Sequence, residues 1–113
     1  MPWPLVEDCP EFQSAHWVHP MFQKTVCRII EYTKDKFPFI TQIVVFGSAV
    51  TNRCHSRSDI DLCIFGDYNL KFRLPLDLDV AHDIVWAQHL LPSDELWRDI
   101  EEKGVVVYGP FFD

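Results

Sequence analysis

The chain has 113 residues, of which 48% are hydrophobic, and its 17 Asp and Glu against 10 Lys and Arg give a formal net charge of −7. That length suits one domain with a modest core, and that apolar share excludes a disordered chain. The acidic balance argues against a surface built for DNA, whose binding depends on neutralising phosphates, and no apolar run is long enough to cross a bilayer. Cys9, Cys27, Cys54 and Cys63 lack paired C-x-x-C spacing and no signal-peptide pattern precedes them, so they read as reduced thiols of a cytoplasmic protein. Cys54-His55 lacks the second ligand pair that a zinc site needs.

Residues 1–19 read as an irregular leader, because Pro2, Pro4 and Pro10 interrupt any period. Trp3 and Trp17 are costly to leave in water, so the leader is expected to pack back on the domain, which spans 20–113, in preference to packing onto a partner. Pro20 opens an amphipathic helix to about residue 36. Phe22, Val26, Ile29, Ile30 and Thr33 form its apolar stripe, and Gln23, Lys24, Arg28 and Glu31 lie on the other side. Pro38 stops the helix.

A strand opens at Ile40, and Ile43, Val44, Val45 and Phe46 make it a buried one that stops at Gly47-Ser48. Ten residues then separate Ser48 from Asp59. Among them Arg53, His55 and Arg57 supply positive charge. A second apolar strand runs from Ile60 to Phe65, and Asp59 and Asp61, two apart, project to one side of it. Two adjacent carboxylates repel, so something cationic belongs between them, and Mg²⁺ takes one or two carboxylates together with substrate phosphate oxygens. Gly47 lets backbone approach a phosphate closely, and Ser48 adds a hydroxyl and an N–H beside it. The combination points to chemistry on a nucleoside triphosphate.

Gly66-Asp67 marks a turn. Residues 74–81 then alternate, with Leu76, Leu78 and Val80 on one face and Asp77, Asp79 and Ala81 on the other, which reads as a half-buried strand. Residues 82–91 read as a connection, with Trp86 as a core residue. Pro92-Ser93 opens a helix with Asp94 and Glu95 in its first turn and Lys103 in its last. Gly104 reads as its left-handed stop, and residues 105–108 as the last strand.

The Gly47-Ser48 pair, the ten-residue interval, the Asp59-x-Asp61 pair and the preceding strand resemble the signature of the nucleotidyltransferases of the DNA polymerase beta superfamily. The short length resembles their minimal members, over roughly residues 40–108. The resemblance implies an α+β fold, a small mixed sheet of about four strands with helices packed on one face. It implies a transferase in which Asp59, Asp61 and a third carboxylate hold Mg²⁺, two ions in all, while Gly47, Ser48, Arg57 and Ser58 hold ATP. The family pattern of Leu-Pro followed by Asp and apolar residues matches Leu74, Pro75 and Asp79. Asp79 is therefore the first choice for that carboxylate, Asp77 the second and Asp83 a weaker candidate. Where many minimal members carry Ala-Arg-Gly, this chain has Val50-Thr51-Asn52, and Arg53 or Arg57 would supply the charge.

The resemblance further implies a partner. Minimal nucleotidyltransferases pair with helical HEPN-type toxins, so the expectation is an antitoxin in a hetero-oligomer that attaches AMP to a protein hydroxyl. Alternatives are a catalytically idle module of this fold that neutralises its partner by contact, and a transferase acting on a small molecule such as an antibiotic.

Overall fold

The computed structural model describes residues 2–53, 59–66 and 82–111. The first helix, α1 (Pro20–Lys36), begins where proline costs least: Pro20 sits in the first turn, and His19 caps it by accepting from the Met21 N–H at 3.2 Å. Its stripe of Phe22, Val26, Ile29, Ile30 and Thr33 is buried as the spacing predicts. Thr33 donates its hydroxyl to the Ile29 carbonyl at 2.7 Å, so its polar atom is satisfied inside the core. Lys34 and Lys36 in the last turn suit the negative end of the helix dipole.

Four strands follow: β1 (Ile40–Phe46), β2 (Ile60–Gly66), β3 (His82–Trp86) and β4 (Val105–Tyr108). They form one sheet in the order β3-β2-β1-β4. β1 runs antiparallel to both β2 and β4, and β2 runs parallel to β3. The mixed four-stranded α+β architecture is the expected one. A second helix, α2 (Glu95–Lys103), precedes β4, and Asp94 at its N-cap accepts from the Leu91 N–H at 2.7 Å.

Strand alternation divides the core in two. Ile43 and Val45 of β1, Ile60, Leu62 and Ile64 of β2 and Val107 of β4 pack with α1. Val44, Phe46, Cys63 and Val106 pack with Ile100 and Trp97 of α2. The helices therefore cover opposite faces, where the expectation put them on one. The reason lies in the strands: β1 and β2 carry consecutive apolar residues over 43–46 and 62–65 rather than alternating ones, so both faces need a cover. Cys63 lies wholly inside this core, and burial pushes its thiol up to about 12, which keeps it an inert small hydrophobe. Cys9, Cys27 and Cys63 are free thiols.

Three local expectations change. Residues 82–86 form a strand rather than a connection, because Ile84 and Val85 pair with Leu62 and Cys63 and join the sheet. The strand expected over 74–81 lies outside the described residues. Gly104 is extended (φ −67, ψ 148) rather than left-handed. Its small size serves close packing instead: a Cβ there would collide with the Ile100 carbonyl oxygen and come within 2.6 Å of Val44 Cγ1. Gln23, assigned to the polar side of α1, is fully buried. Its amide oxygen accepts from the Val6 N–H at 2.8 Å, and its amide nitrogen donates to the carbonyls of Pro4 and Val18, each at 3.1 Å. One core glutamine thus ties the leader to the domain. Gln13 adds bonds to the carbonyls of Val106 and Gly109, and Val18 and Ala15 are buried, so the leader packs on the domain as expected. No helix among the described residues is long and apolar enough to cross a membrane.

Candidate functional site

Strand direction decides which ends meet. Phe46, the last residue of β1, pairs with Asp61 near the start of β2, Asp61 pairs with Asp83 near the start of β3, and Val45 pairs with Val105 at the start of β4. One end of the sheet therefore carries, in spatial order, Asp83, Asp61, the Gly47-Ser48 turn, and Lys103 at the end of α2 just before β4. Asp61 alternates with Leu62, which packs under α1, and shares its face with Cys63 and Phe65, which pack under α2. Asp83, level with Asp61 in a parallel pair, lies on that same face, as does Val85 level with Cys63.

The turn after β1 is shaped around Asp61. Residues Gly47–Val50 form one 3₁₀ turn, and Gly47 has φ +75, a left-handed conformation that disfavours every residue with a Cβ. A Cβ at Gly47 would also collide with Asp61 Oδ2 and lie 3.3 Å from Asp61 Cγ. The glycine is thus needed twice, for the backbone and for the carboxylate beside it. Thr51 closes the turn, its N–H and hydroxyl both donating to the Ser48 carbonyl at 3.0 and 3.1 Å. The Arg53 N–H then donates to the Thr51 hydroxyl at 3.2 Å, and the His19 N–H donates to the Ala49 carbonyl at 2.8 Å, tying the turn to the cap of α1.

The electrostatics differ on the two sides of Gly47. On the carboxylate side, Asp61 is held above the ordinary carboxylate range, first by burial, then by Asp83, then by Asp59. All three influences act in the same direction, which marks a place where a cation would be welcome. On the other side lies an open cavity of about 240 Å³ lined by Gly47, Ser48, Val50, Thr51, Arg53, Asp99 and Lys103. A neighbouring cavity of about 350 Å³, walled by Trp3 and Trp17, shares Val50, Thr51 and Lys103 with it.

Residues 26–108 match the family described as nucleotidyltransferase domain. The chain belongs to that family. Two solved structures share the fold of this nucleotidyltransferase domain. One, a toxin-antitoxin with AMP-PNP, is 22% identical with a TM-score of 0.57; the other, a mutant of the toxin-antitoxin MntA-HpeT, is 20% identical with a TM-score of 0.56. Each match covers 74% of this chain and 72% of the other. No curated protein matches the chain.

Of the residues singled out from sequence, the fold gathers Gly47, Ser48, Asp59 and Asp61 at one end of the sheet. Arg57, Ser58, Asp77 and Asp79 lie outside the described residues. Asp83, ranked last among the third carboxylates, is the one that strand pairing brings level with Asp61. Its signal was present in the sequence: His82-Asp83-Ile84-Val85 repeats the pattern of one acid followed by apolar residues seen at Asp61-Leu62-Cys63. Lys103 reads from the sequence only as the cation in the last turn of its helix, and nothing in the sequence marks Asp99. Among the described residues no three His, Cys, Asp or Glu side chains are gathered closely enough to cage a metal by themselves. Mg²⁺ does not ask for that. It takes one or two carboxylates and completes its shell with substrate phosphate oxygens and water, so an Asp61 already short of positive charge fits it.

Proposed function

We propose that this nucleotidyltransferase domain is a Mg²⁺-dependent enzyme that transfers AMP from ATP to a hydroxyl of a protein acceptor. The observation that carries the reading is the sheet end itself: acids on β2 and β3 on one side of a glycine turn, cations of the β1 turn and α2 on the other. A triphosphate has the matching asymmetry: Mg²⁺ would neutralise the oxygens of its reacting phosphate, and its tail bears the remaining charge.

In this reading Asp59 and Asp61 hold Mg²⁺, two ions in all, with a third carboxylate from Asp83, Asp79 or Asp77. The bound ions would supply charge neutralisation at the α-phosphate and its attacking and leaving oxygens. The chain's own residues position the groups. Gly47 and Ser48 present backbone N–H groups to the phosphate tail, and the acceptor hydroxyl gives up its proton to solvent as its oxygen bonds to the α-phosphorus and the bond from that phosphorus to the β-phosphate oxygen breaks. Pyrophosphate leaves. Arg57 and Ser58, between the turn and the acids, remain proposed nucleotide contacts.

The proposed setting is cytoplasmic, with a HEPN-type helical toxin as partner and acceptor and the chain as antitoxin. Similarity to the fold of toxin-antitoxin proteins supports the setting, and the AMP-PNP in one of them supports a nucleotide substrate. The experiment is a transfer assay with ATP labelled at the α-phosphate, using a co-expressed partner as acceptor, with Asp83→Asn, Asp79→Asn and Asp77→Asn variants in parallel. Asp83→Asn is expected to lose label transfer by at least a hundredfold, the scale on which removing one electrostatic group at such a centre acts. Full transfer by Asp83→Asn with loss in Asp79→Asn would move the third carboxylate back to Asp79; no transfer by the wild-type chain with any Mg²⁺ concentration would remove the enzymatic reading.

A further inference from the structure

Lys103 is a helix residue by sequence, with two ordinary structural roles. It sits in the last turn of α2, where a cation suits the dipole, and its Nζ lies 3.4 Å from Asp99 Oδ1 one turn earlier. Neither role explains its place in the fold. Gly104 packs against Val44 and Val105 pairs with Val45, so the end of α2 is pinned beside the last residues of β1, and Lys103 comes to line the cavity at Gly47 and Ser48. Arg53, reaching the same cavity from the far end of the turn, is the second cation there.

We infer that Lys103 is a substrate-binding residue of the nucleotide site, which with Arg53 holds the outer phosphates of the nucleoside triphosphate and the pyrophosphate that departs. The inference rests on the reading of the sheet end as a nucleotide site, and it adds which side of the turn the tail takes. Adjacent strands are about 4.8 Å apart, so β2 with its acids and β4 with Lys103 at its entrance are separated by roughly 10 Å, with the glycine turn between. A chain of phosphates laid across that gap meets carboxylates and metal at one end and a guanidinium and an ammonium at the other. The reverse orientation would put the most highly charged end of the ligand against Asp59, Asp61 and Asp83.

Asp99 is the one acid among the described residues that line the cavity, and its pairing with Lys103 is exposed: the lysine side chain is 71% and the aspartate 43% accessible. An exposed pair of this kind is weak, so a phosphate can draw the ammonium away from it. Asp99 then acts as a resting counter-ion that competes with the ligand.

The test is calorimetric titration of the full chain with Mg²⁺·ATP, with Mg²⁺·pyrophosphate and with AMP, for the wild type, Lys103→Gln, Lys103→Arg and Asp99→Asn. Charge-assisted hydrogen bonds lost from an exposed site predict roughly tenfold weaker ATP and pyrophosphate binding in Lys103→Gln, with AMP unchanged. Lys103→Arg should stay within about threefold of wild type, and Asp99→Asn should bind Mg²⁺·ATP more tightly. Equal ATP binding by wild type and Lys103→Gln overturns the assignment while leaving the nucleotide site standing. A lower Tm for Lys103→Gln with an unchanged ratio of ATP to AMP affinity likewise reduces Lys103 to a helix cap. A wild type that binds neither ATP nor pyrophosphate removes both the nucleotide site and this inference with it.

Discussion

Gly47→Ala is the substitution on which the geometry of the site makes its most quantitative claim. At φ +75 an alanine pays the left-handed penalty of about 1–2 kcal/mol. Its methyl group would also collide with Asp61 Oδ2, and the carboxylate must rotate off its rotamer at a cost of about 0.5–1.5 kcal/mol. The sum, about 1.5–3.5 kcal/mol, is a large part of the stability of a small domain but leaves it folded. Urea unfolding measures it directly. The two parts separate in a double-mutant cycle with Asp61→Ala, because Asp61 Cβ is 3.6 Å from the added methyl and does not clash. About 1 kcal/mol of the Gly47→Ala loss should vanish when Asp61 is already alanine. Mg²⁺·ATP binding should fall sharply in Gly47→Ala, since the displaced carboxylate is the one proposed to hold metal. A loss below about 0.5 kcal/mol, or a loss indifferent to Asp61, would refute the claim that the glycine exists to admit that carboxylate.

Asp61→Asn should make the metal-free protein more stable at neutral pH. Burial, Asp83 and Asp59 raise the folded-state pKa of Asp61 above its unfolded value, so its contribution to stability is fully present below the ordinary carboxylate range and is lost as pH rises through the raised pKa. The advantage of the Asn variant should therefore shrink as pH falls, and a variant less stable than wild type at neutral pH in chelator would contradict this. Gln23→Ala removes bonds to Val6, Pro4 and Val18 from a fully buried position and should cost about 2–4 kcal/mol, with faster proteolytic cleavage within residues 2–14. Unchanged cleavage would mean that the leader is held by other contacts. Gly104→Ala drives a methyl into the Ile100 carbonyl and Val44, so α2 must shift; a loss of about 1–3 kcal/mol in chemical unfolding is expected, against near neutrality if the helix end is loosely held.

Local chemistry made much of the candidate site stand out in the sequence. Gly47-Ser48 and Asp59-x-Asp61 stand out because a strand that stops at glycine and two acids on one strand face are rare and costly unless used. The stripe of α1 was equally plain, because Pro20 and Pro38 bracket a clean 3.6-residue period. What the sequence hid depended on long-range pairing. Asp83 is an ordinary acid until β3 is known to lie parallel to β2 with Asp83 level with Asp61. Lys103 is an ordinary helix lysine until β4 is known to start beside the end of β1. Gln23 looks solvent-facing by periodicity, and only the leader folding over α1 gives its amide enough partners to be buried. The division of the helices between two faces could have been read from β1 and β2, whose unbroken apolar runs suit strands covered on both sides.

The central claim is that the acid side of this sheet end is a working, metal-dependent nucleotide site, and one titration tests it most directly: ATP into the purified chain, with Mg²⁺ and with chelator, for the wild type and for Asp59→Ala/Asp61→Ala. Saturable binding that requires Mg²⁺ and disappears in the folded double variant is the predicted result. Binding that survives without Mg²⁺ or in the double variant, or a folded wild type that binds no ATP at all, would contradict it.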